Sequence, residues 1–227
     1  MADGDDLAAP DEDAEDAEDA KEVAQAEEVE GRERIVSIES KAAVIKLLLF
    51  DVDGVLTDGK ILLHPDGTES KRFDIKDGTG LVWAQRAGLK VGVLSARTSA
   101  ATAQRAAQLG VTIVHQGVPS KLQAYEDILR QQQLTDAETA YMGDDLLDLP
   151  VLTRVGLSAC PSDAVEEVRS RVDFVSRATG GDGAARELVE IVLKAQGRWE
   201  ALLGAYTGQD AAAAPGAQVA KRRASRS

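Results

Sequence analysis

The 227-residue chain is 44% hydrophobic and 29% charged, an ordinary balance for a globular protein with one sizeable core. No apolar run approaches the ~20 residues of a membrane span, the N-terminus lacks the basic and apolar regions of a signal peptide, and the single cysteine, Cys160, excludes an intramolecular disulfide framework. The net charge of -13 is carried by residues 1–30, which hold fourteen acids and one lysine, so the remainder is neutral on balance. These features predict a cytoplasmic protein with no membrane partner. Cys160 reads as packing, because no His/Asn constellation accompanies it.

In chain order, residues 1–35 form an Ala/Asp/Glu-rich arm without aromatics, which cannot bury enough apolar surface to order itself. VIKLLLFDVDG then reads as a fully buried strand of a parallel sheet, because it is short, apolar and ended by acids and glycine. DGKILLHPDGTESKRFDIKDG has two strand-like halves about Pro65-Asp66-Gly67, good hairpin-turn chemistry, and predicts a β-hairpin flap. GLVWAQRAG is helical, LKVGVLS a strand, and SAATAQRAAQLG a helix closed by Gly110. VTIVHQ is a strand, and SKLQAYEDILRQQQ a helix capped by Ser120. TAYMGDD, GLSAC and DFVS are strands separated by the short helices DLPVLTRVG and AVEEVRSR. GAARELVEIVLKAQGRWEALLGAY closes the fold as one long helix or two, and 206–227 read as a second disordered tail, Ala-rich with a basic end. Strands alternating with helices predict an α/β, doubly wound parallel sheet of Rossmann-like type. Right-handed crossovers then bring every strand C-terminus to one ligand-binding edge. The chain has neither G-x-G-x-x-G after a strand nor a Walker A loop, which disfavours dehydrogenases and P-loop kinases.

Chemistry-bearing residues gather at that edge. Asp51 and Asp53 leave the first strand together, and two acids buried there need compensation that a divalent cation would supply. An EF-hand is excluded, since Val55 holds the next alternate position and a strand precedes the loop. Ser95-Ala96-Arg97 end the second long strand, Ser120-Lys121 follow the third, and Asp144-Asp145 end the fourth with Asp148 one turn on. A nucleophilic carboxylate, a hydroxyl, a lysine and metal-binding acids are what phosphoryl transfer needs.

DVDGVLTDG, the S-A-R step, Lys121 and GDDLLD resemble the four motifs of the haloacid dehalogenase superfamily, in order. The resemblance implies Asp51 as nucleophile and Asp53 as general acid/base. It implies Ser95, Ala96, Lys121 and Lys76 around phosphate and substrate. It implies Mg2+ held by Asp51, Asp144 and the backbone carbonyl of Asp53, with Asp145 and Asp148 as supporting acids. A closer resemblance spans roughly 43–200. Lys71, Phe73, Asp77, Gly78 and Gly80 in K-x-F-x-x-x-DG-x-G, then TGG-x-GA-x-RE, are similar to the 3-deoxy-D-manno-octulosonate 8-phosphate phosphatases. This chain departs from that family at Ala96, where glycine is usual, and at Asp182, where arginine is usual.

The gaps between motifs hold no cap domain, so residues 36–205 predict a capless phosphatase domain. A capless site is either open to macromolecules or covered by a neighbouring subunit, and the resemblance implies the second, a homotetramer acting on a small sugar phosphate. The alternatives are a nonulosonate 9-phosphate phosphatase, a phosphatase of macromolecules, or a non-catalytic binding protein. The acidic arm speaks against nucleic acid.

Overall fold

The structure, a computed structural model, describes residues 38–207. The acidic arm predicted for 1–35 and the tail beyond Thr207 lie outside the described residues. After a helical lead-in at 38–43, the chain forms β1 (Leu47–Phe50), β2 (Leu62–Leu63), β3 (Glu69–Ser70), α1 (Ile75–Arg86), β4 (Lys90–Leu94), α2 (Ala100–Leu109), β5 (Ile113–His115) and α3 (Lys121–Gln132). It continues through β6 (Thr139–Met142), α4 (Leu149–Leu152), β7 (Leu157–Cys160), α5 (Glu166–Arg169), β8 (Phe174–Val175), α6 (Ala184–Ala195) and α7 (Trp199–Thr207). The main sheet has six parallel strands in the order β5-β4-β1-β6-β7-β8. No helix among the described residues is long and apolar enough to cross a membrane.

The sheet is doubly wound because β1 is apolar on both faces. Leu48 and Phe50 pack with Val91, Leu188 and Val192 on one side, and Leu47 and Leu49 pack with Tyr125, Ile128 and Tyr141 on the other. Alternate side chains of a strand point to opposite faces, so a strand covered on both sides must read as a continuous apolar run. The third helix begins as expected, with the Ser120 hydroxyl accepting from the Gln123 amide at 3.3 Å. Gly110 closes α2 in the left-handed region at φ 70°.

Helices α1 and α7 are among the elements whose bounds differ from those expected. Helix α1 starts at Ile75, five residues before the predicted start, although Gly78 and Gly80 weaken it. Asp74 caps it, accepting from the amides of Lys76 and Asp77 at 2.6 and 3.0 Å. The glycines are there for packing: a Cβ at Gly78 would lie 2.3 Å from an Arg105 side-chain nitrogen, and one at Gly80 2.9 Å from Arg186 Cδ. At the other end α7 runs to Thr207, two residues past the predicted domain boundary. Tyr206 holds it, with its hydroxyl accepting from Trp83 Nε1 at 2.9 Å and its ring centroid 5.6 Å from that of Trp83.

The flap forms as expected after β1, but its strands are only two residues each, pairing Leu62 with Ser70 and Leu63 with Glu69. Its turn is fixed by Asp66, which accepts from the Thr68 amide at 3.0 Å, and by Gly67 at φ 83°.

Gly92 tests the packing of the central sheet. A Cβ there would come within 2.7 Å of both Leu49 and Ile113 side chains. Overpacking of a dense core costs about 1–3 kcal/mol. Gly92→Ala is expected to lower the urea midpoint by a corresponding amount at unchanged m-value.

Candidate active site

The C-terminal edge of β1, β4 and β6 builds the site. Asp51 extends β1 by one more ladder bond, its amide donating to the Met142 carbonyl at 2.9 Å. The chain then turns sharply: the amides of Val55, Leu56 and Thr57 all converge on the Val52 carbonyl, at 3.4, 3.0 and 3.1 Å. Gly54 makes the turn possible at φ 88°, and a Cβ there would lie 2.0 Å from Asp144 Oδ2. Glycine is therefore required twice at this position, for its backbone conformation and for the carboxylate beside it.

Asp148 organises the opposite wall. It is fully buried, yet four donors surround its carboxylate: the amides of Asp144 and Asp145 at 3.0 and 3.1 Å, Lys121 Nζ at 2.6 Å, and the Tyr141 hydroxyl. Lys121 also lies 2.9 Å from Asp51 Oδ2, so one ammonium bridges two carboxylates. Oxygens of Asp51, Asp144 and Asp148 lie within 4.8 Å of one another.

The electrostatics are unbalanced. Burial, with the neighbouring Asp148 charge, pushes the Asp51 carboxyl up to about 6 although Lys121 pulls it down. Burial, then the charges of Asp51 and Asp148, push Asp144 up to about 8. Burial works against the Lys121 ammonium, but Asp51 and Asp148 outweigh it and hold its pKa above the ordinary lysine value. Asp144 Oδ1 is buried without a hydrogen-bond partner. Three carboxylates, one lysine and an orphaned buried oxygen fit a divalent cation with oxygen ligands.

Asp51, Asp53, Ser95, Ala96, Lys121, Asp144, Asp145 and Asp148 all line one pocket of about 180 Å³, together with Arg97 and Leu147. Their local roles differ. Asp145 is exposed and its Oδ1 accepts from the Leu146 amide at 2.7 Å, capping the turn at 146–148 outside the carboxylate cluster. The Asp53 carboxylate also stands apart from that cluster, since Lys71 Nζ lies 2.7 and 2.9 Å from its two oxygens and Arg97 Nε 3.5 Å away. Lys76 is exposed on the first turn of α1 and does not line the pocket; the flap lysine that reaches Asp53 is Lys71. Sequence reasoning assigned no site role to Lys71, Arg97, Glu69 or Tyr141. Arg97 binds Glu69 Oε2 at 3.1 Å, so the returning flap strand is tied across the pocket rim. The only signal for Lys71 was its place in the K-x-F motif.

A profile of the haloacid dehalogenase-like hydrolase family matches residues 92–188. The 3-deoxy-D-manno-octulosonate 8-phosphate phosphatase KdsC of Escherichia coli (strain K12) is 40% identical over 165 residues, which cover 73% of this chain and 88% of that protein. The solved 3-deoxy-D-manno-octulosonate 8-phosphate phosphatase from Moraxella catarrhalis, in complex with magnesium ion, phosphate ion and KDO, is 36% identical. It superposes with a TM-score of 0.73 over 74% of this chain and 97% of that one. The Yersinia pestis phosphatase of the same name is 38% identical, with a TM-score of 0.71 over 72% of this chain and 89% of that one.

Tyr141 is a clean probe of the buried network, because its hydroxyl serves Asp148 and the ring fills the core. Removing a hydrogen bond to a buried charged group costs about 1.5–3 kcal/mol. Tyr141→Phe is expected to lose that much stability in urea unfolding, and an unchanged midpoint would contradict the role given to Asp148.

Proposed function

The chain belongs to the haloacid dehalogenase-like hydrolases, within the 3-deoxy-D-manno-octulosonate 8-phosphate phosphatases, and from that membership we propose that it hydrolyses a sugar-acid phosphate, 3-deoxy-D-manno-octulosonate 8-phosphate, to the free sugar acid and phosphate. The observation that carries the reading is the Asp51–Lys121–Asp148 network beside the unpartnered oxygen of Asp144. It supports reading Asp51 as the nucleophile, Lys121 as the phosphate-binding cation and Asp144 as a metal ligand, since the three line one small pocket.

Asp51 attacks phosphorus, forming an Oδ–P bond as the bond from phosphorus to the sugar oxygen breaks. The departing oxygen takes a proton from Asp53. Water then attacks the aspartyl phosphate and gives its proton to Asp53, and the bond from phosphorus to Asp51 breaks to release phosphate. General acid/base work of this kind contributes about 10²–10⁴-fold. Lys121 and Ser95 hold the phosphoryl oxygens, and the backbone at Ala96 lies beside them. Lys71 and Arg97 keep the Asp53 carboxyl at the pocket wall. Asp148 acts through Lys121, and Asp145 through the turn it caps. Magnesium, held by Asp51, Asp144 and the Asp53 carbonyl, supplies charge neutralisation for the phosphoryl group when bound. The magnesium, phosphate and KDO in the Moraxella catarrhalis relative support both the metal and the sugar acid.

The departures at Ala96 and Asp182 bear on the choice of sugar, and the second reading is a nonulosonate 9-phosphate substrate. Asp182 lines a separate polar pocket with Asp58, Lys60 and Arg72. We further propose a cytoplasmic homotetramer. Its support is the flap, whose Leu62 and Leu63 are 63% and 74% exposed. A lone two-stranded hairpin is marginal in water and its edges invite pairing.

Four measurements test this. Asp51→Asn is expected to abolish phosphate release while circular dichroism stays native, and near wild-type turnover in that variant would remove the nucleophile. Chelation is expected to stop turnover and Mg2+ to restore it. A screen of sugar phosphates is expected to favour the octulosonate 8-phosphate over nonulosonate 9-phosphates and phosphoproteins, and the reverse order would select the second reading. Light scattering coupled to size exclusion is expected to give four chains, and an active monomer would end the assembly proposal.

A further inference from the structure

Helix α6 begins without a cap of its own. Its N-cap residue is Gly183, in the left-handed region at φ 110° and with no side chain to serve the first amides. The acceptor comes from α1 instead. Asp77, 2% exposed, takes the Gly183 amide on one oxygen at 3.2 Å and the Arg186 amide on the other at 2.8 Å. A carboxylate here also faces the positive end of the α6 dipole.

The segment just before this cap lies on the active-site turn. The Gly181 amide donates to the Val55 carbonyl at 2.9 Å. Gly180 fits so closely that a Cβ would lie 1.8 Å from the Gly54 carbonyl oxygen, and at Gly181 one would lie 2.5 Å from the Thr57 carbonyl carbon. The Gly180 amide is held from the far side by Asp163 Oδ1 at 2.9 Å. Gly54 is therefore packed between Gly180 on one side and the Asp144 carboxylate on the other. Any slack in the 180–183 segment is slack in the turn that follows Asp51 and carries Asp53. Asp77 is joined to the same turn by a second route, because Lys71, six residues before it, reaches Asp53.

We infer that Asp77 is a positioning residue for the phosphoryl chemistry: by capping α6 from α1 it clamps residues 180–183 onto the Gly54 turn and fixes Asp53 and Asp144 relative to Asp51. The inference rests on the functional reading above for its chemical consequence, but the clamp itself is a property of the folded chain. A cap that served only α6 would affect only α6.

The test uses the full chain with Asp77→Ala, and Asp77→Asn, which keeps one acceptor oxygen, as the milder variant if the first folds poorly. Amide hydrogen exchange on peptides covering 52–58 reads the turn directly, because the amides of Val55, Leu56 and Thr57 are its hydrogen bonds. We expect exchange there to rise roughly tenfold in Asp77→Ala and less in Asp77→Asn, as local opening becomes easier. Well below the melting temperature, kcat is expected to fall roughly 10- to 100-fold, since small misplacement of reacting groups costs about that much. The fall should be equal for the sugar phosphate and p-nitrophenyl phosphate, with KM unmoved, because the clamp acts on the reacting groups and not on the sugar. Faster exchange confined to 180–190, or an unchanged kcat in a variant that exchanges faster at 52–58, would overturn the inference. If the wild type released phosphate from neither ester, the functional reading would fall, and the exchange comparison would still decide whether Asp77 holds the turn.

Discussion

Asp148 is a fully buried carboxylate, and the arrangement of the site follows from the need to satisfy it. An ion of that size taken out of water costs several kcal/mol unless donors replace its hydration. The chain supplies four, from three different elements: amides from the loop after β6, a hydroxyl from within β6, and an ammonium from the start of α3. Each donor is thereby fixed in place. Lys121 carries the network to the end of β1, since the same ammonium reaches Asp51. The lysine is aimed across the mouth of the sheet because its other neighbour cannot move. Replacing one partner in such a set would leave a buried charge unpaired, which is why Tyr141, with no contact to substrate in the mechanism, still belongs to the site's design.

Close backbone approach is the second constraint. Gly143 has no room for a Cβ, which would fall 2.4 Å from Asp148, and Gly54 lies between Gly180 and the Asp144 carboxylate. Side chains at Gly54 and Gly143 would displace the carboxylates of Asp144 and Asp148, and one at Gly180 would displace the Gly54 turn. The three glycines let three chain segments, the Gly54 turn, the 143–148 loop and the segment at Gly180, meet within a few ångströms, and so let β1 and β6 present their terminal acids to one point. This is a packing requirement as much as a conformational one: Gly143 and Gly180 are not in the left-handed region, whereas Gly54 is.

Much of this was legible in the sequence, for identifiable reasons. β1 was clear because a strand covered on both faces has no polar alternation, and Asp51, Ser95, Lys121 and Asp144 were clear because parallel topology sends every strand end to the same edge. The start of α1 was not legible, since Gly78 and Gly80 argue locally against a helix and the side chains that require them, Arg105 and Arg186, come from α2 and α6. Lys71 was not legible as a partner of Asp53, because its reach depends on where a flap with two-residue strands folds back. Lys76, five residues on in the same segment, had equal claim by composition and lies exposed outside the pocket. The roles of Asp145 and Asp148 were read together as support and separate in the structure, one capping a turn at the surface and the other anchoring the buried network.

The size of the pocket divides the labour of the site. About 180 Å³ is below the roughly 300–1,000 Å³ of pockets that enclose whole small molecules. It suits a phosphoryl group and its immediate ester oxygen, with Asp51, Lys121, Ser95 and Asp144 among its walls. An eight-carbon sugar acid must extend past that volume, over the rim where Arg97, Glu69 and Lys71 link the flap to the strand ends. The groups around the pocket are thus fixed by the buried sheet edge, while the flap stands where the rest of a sugar acid extends. A change at the flap should therefore move KM between substrates with little effect on the phosphoryl step, whereas a change at the Gly54 turn should slow every substrate alike. The two kinds of variant separate recognition from catalysis within a single chain.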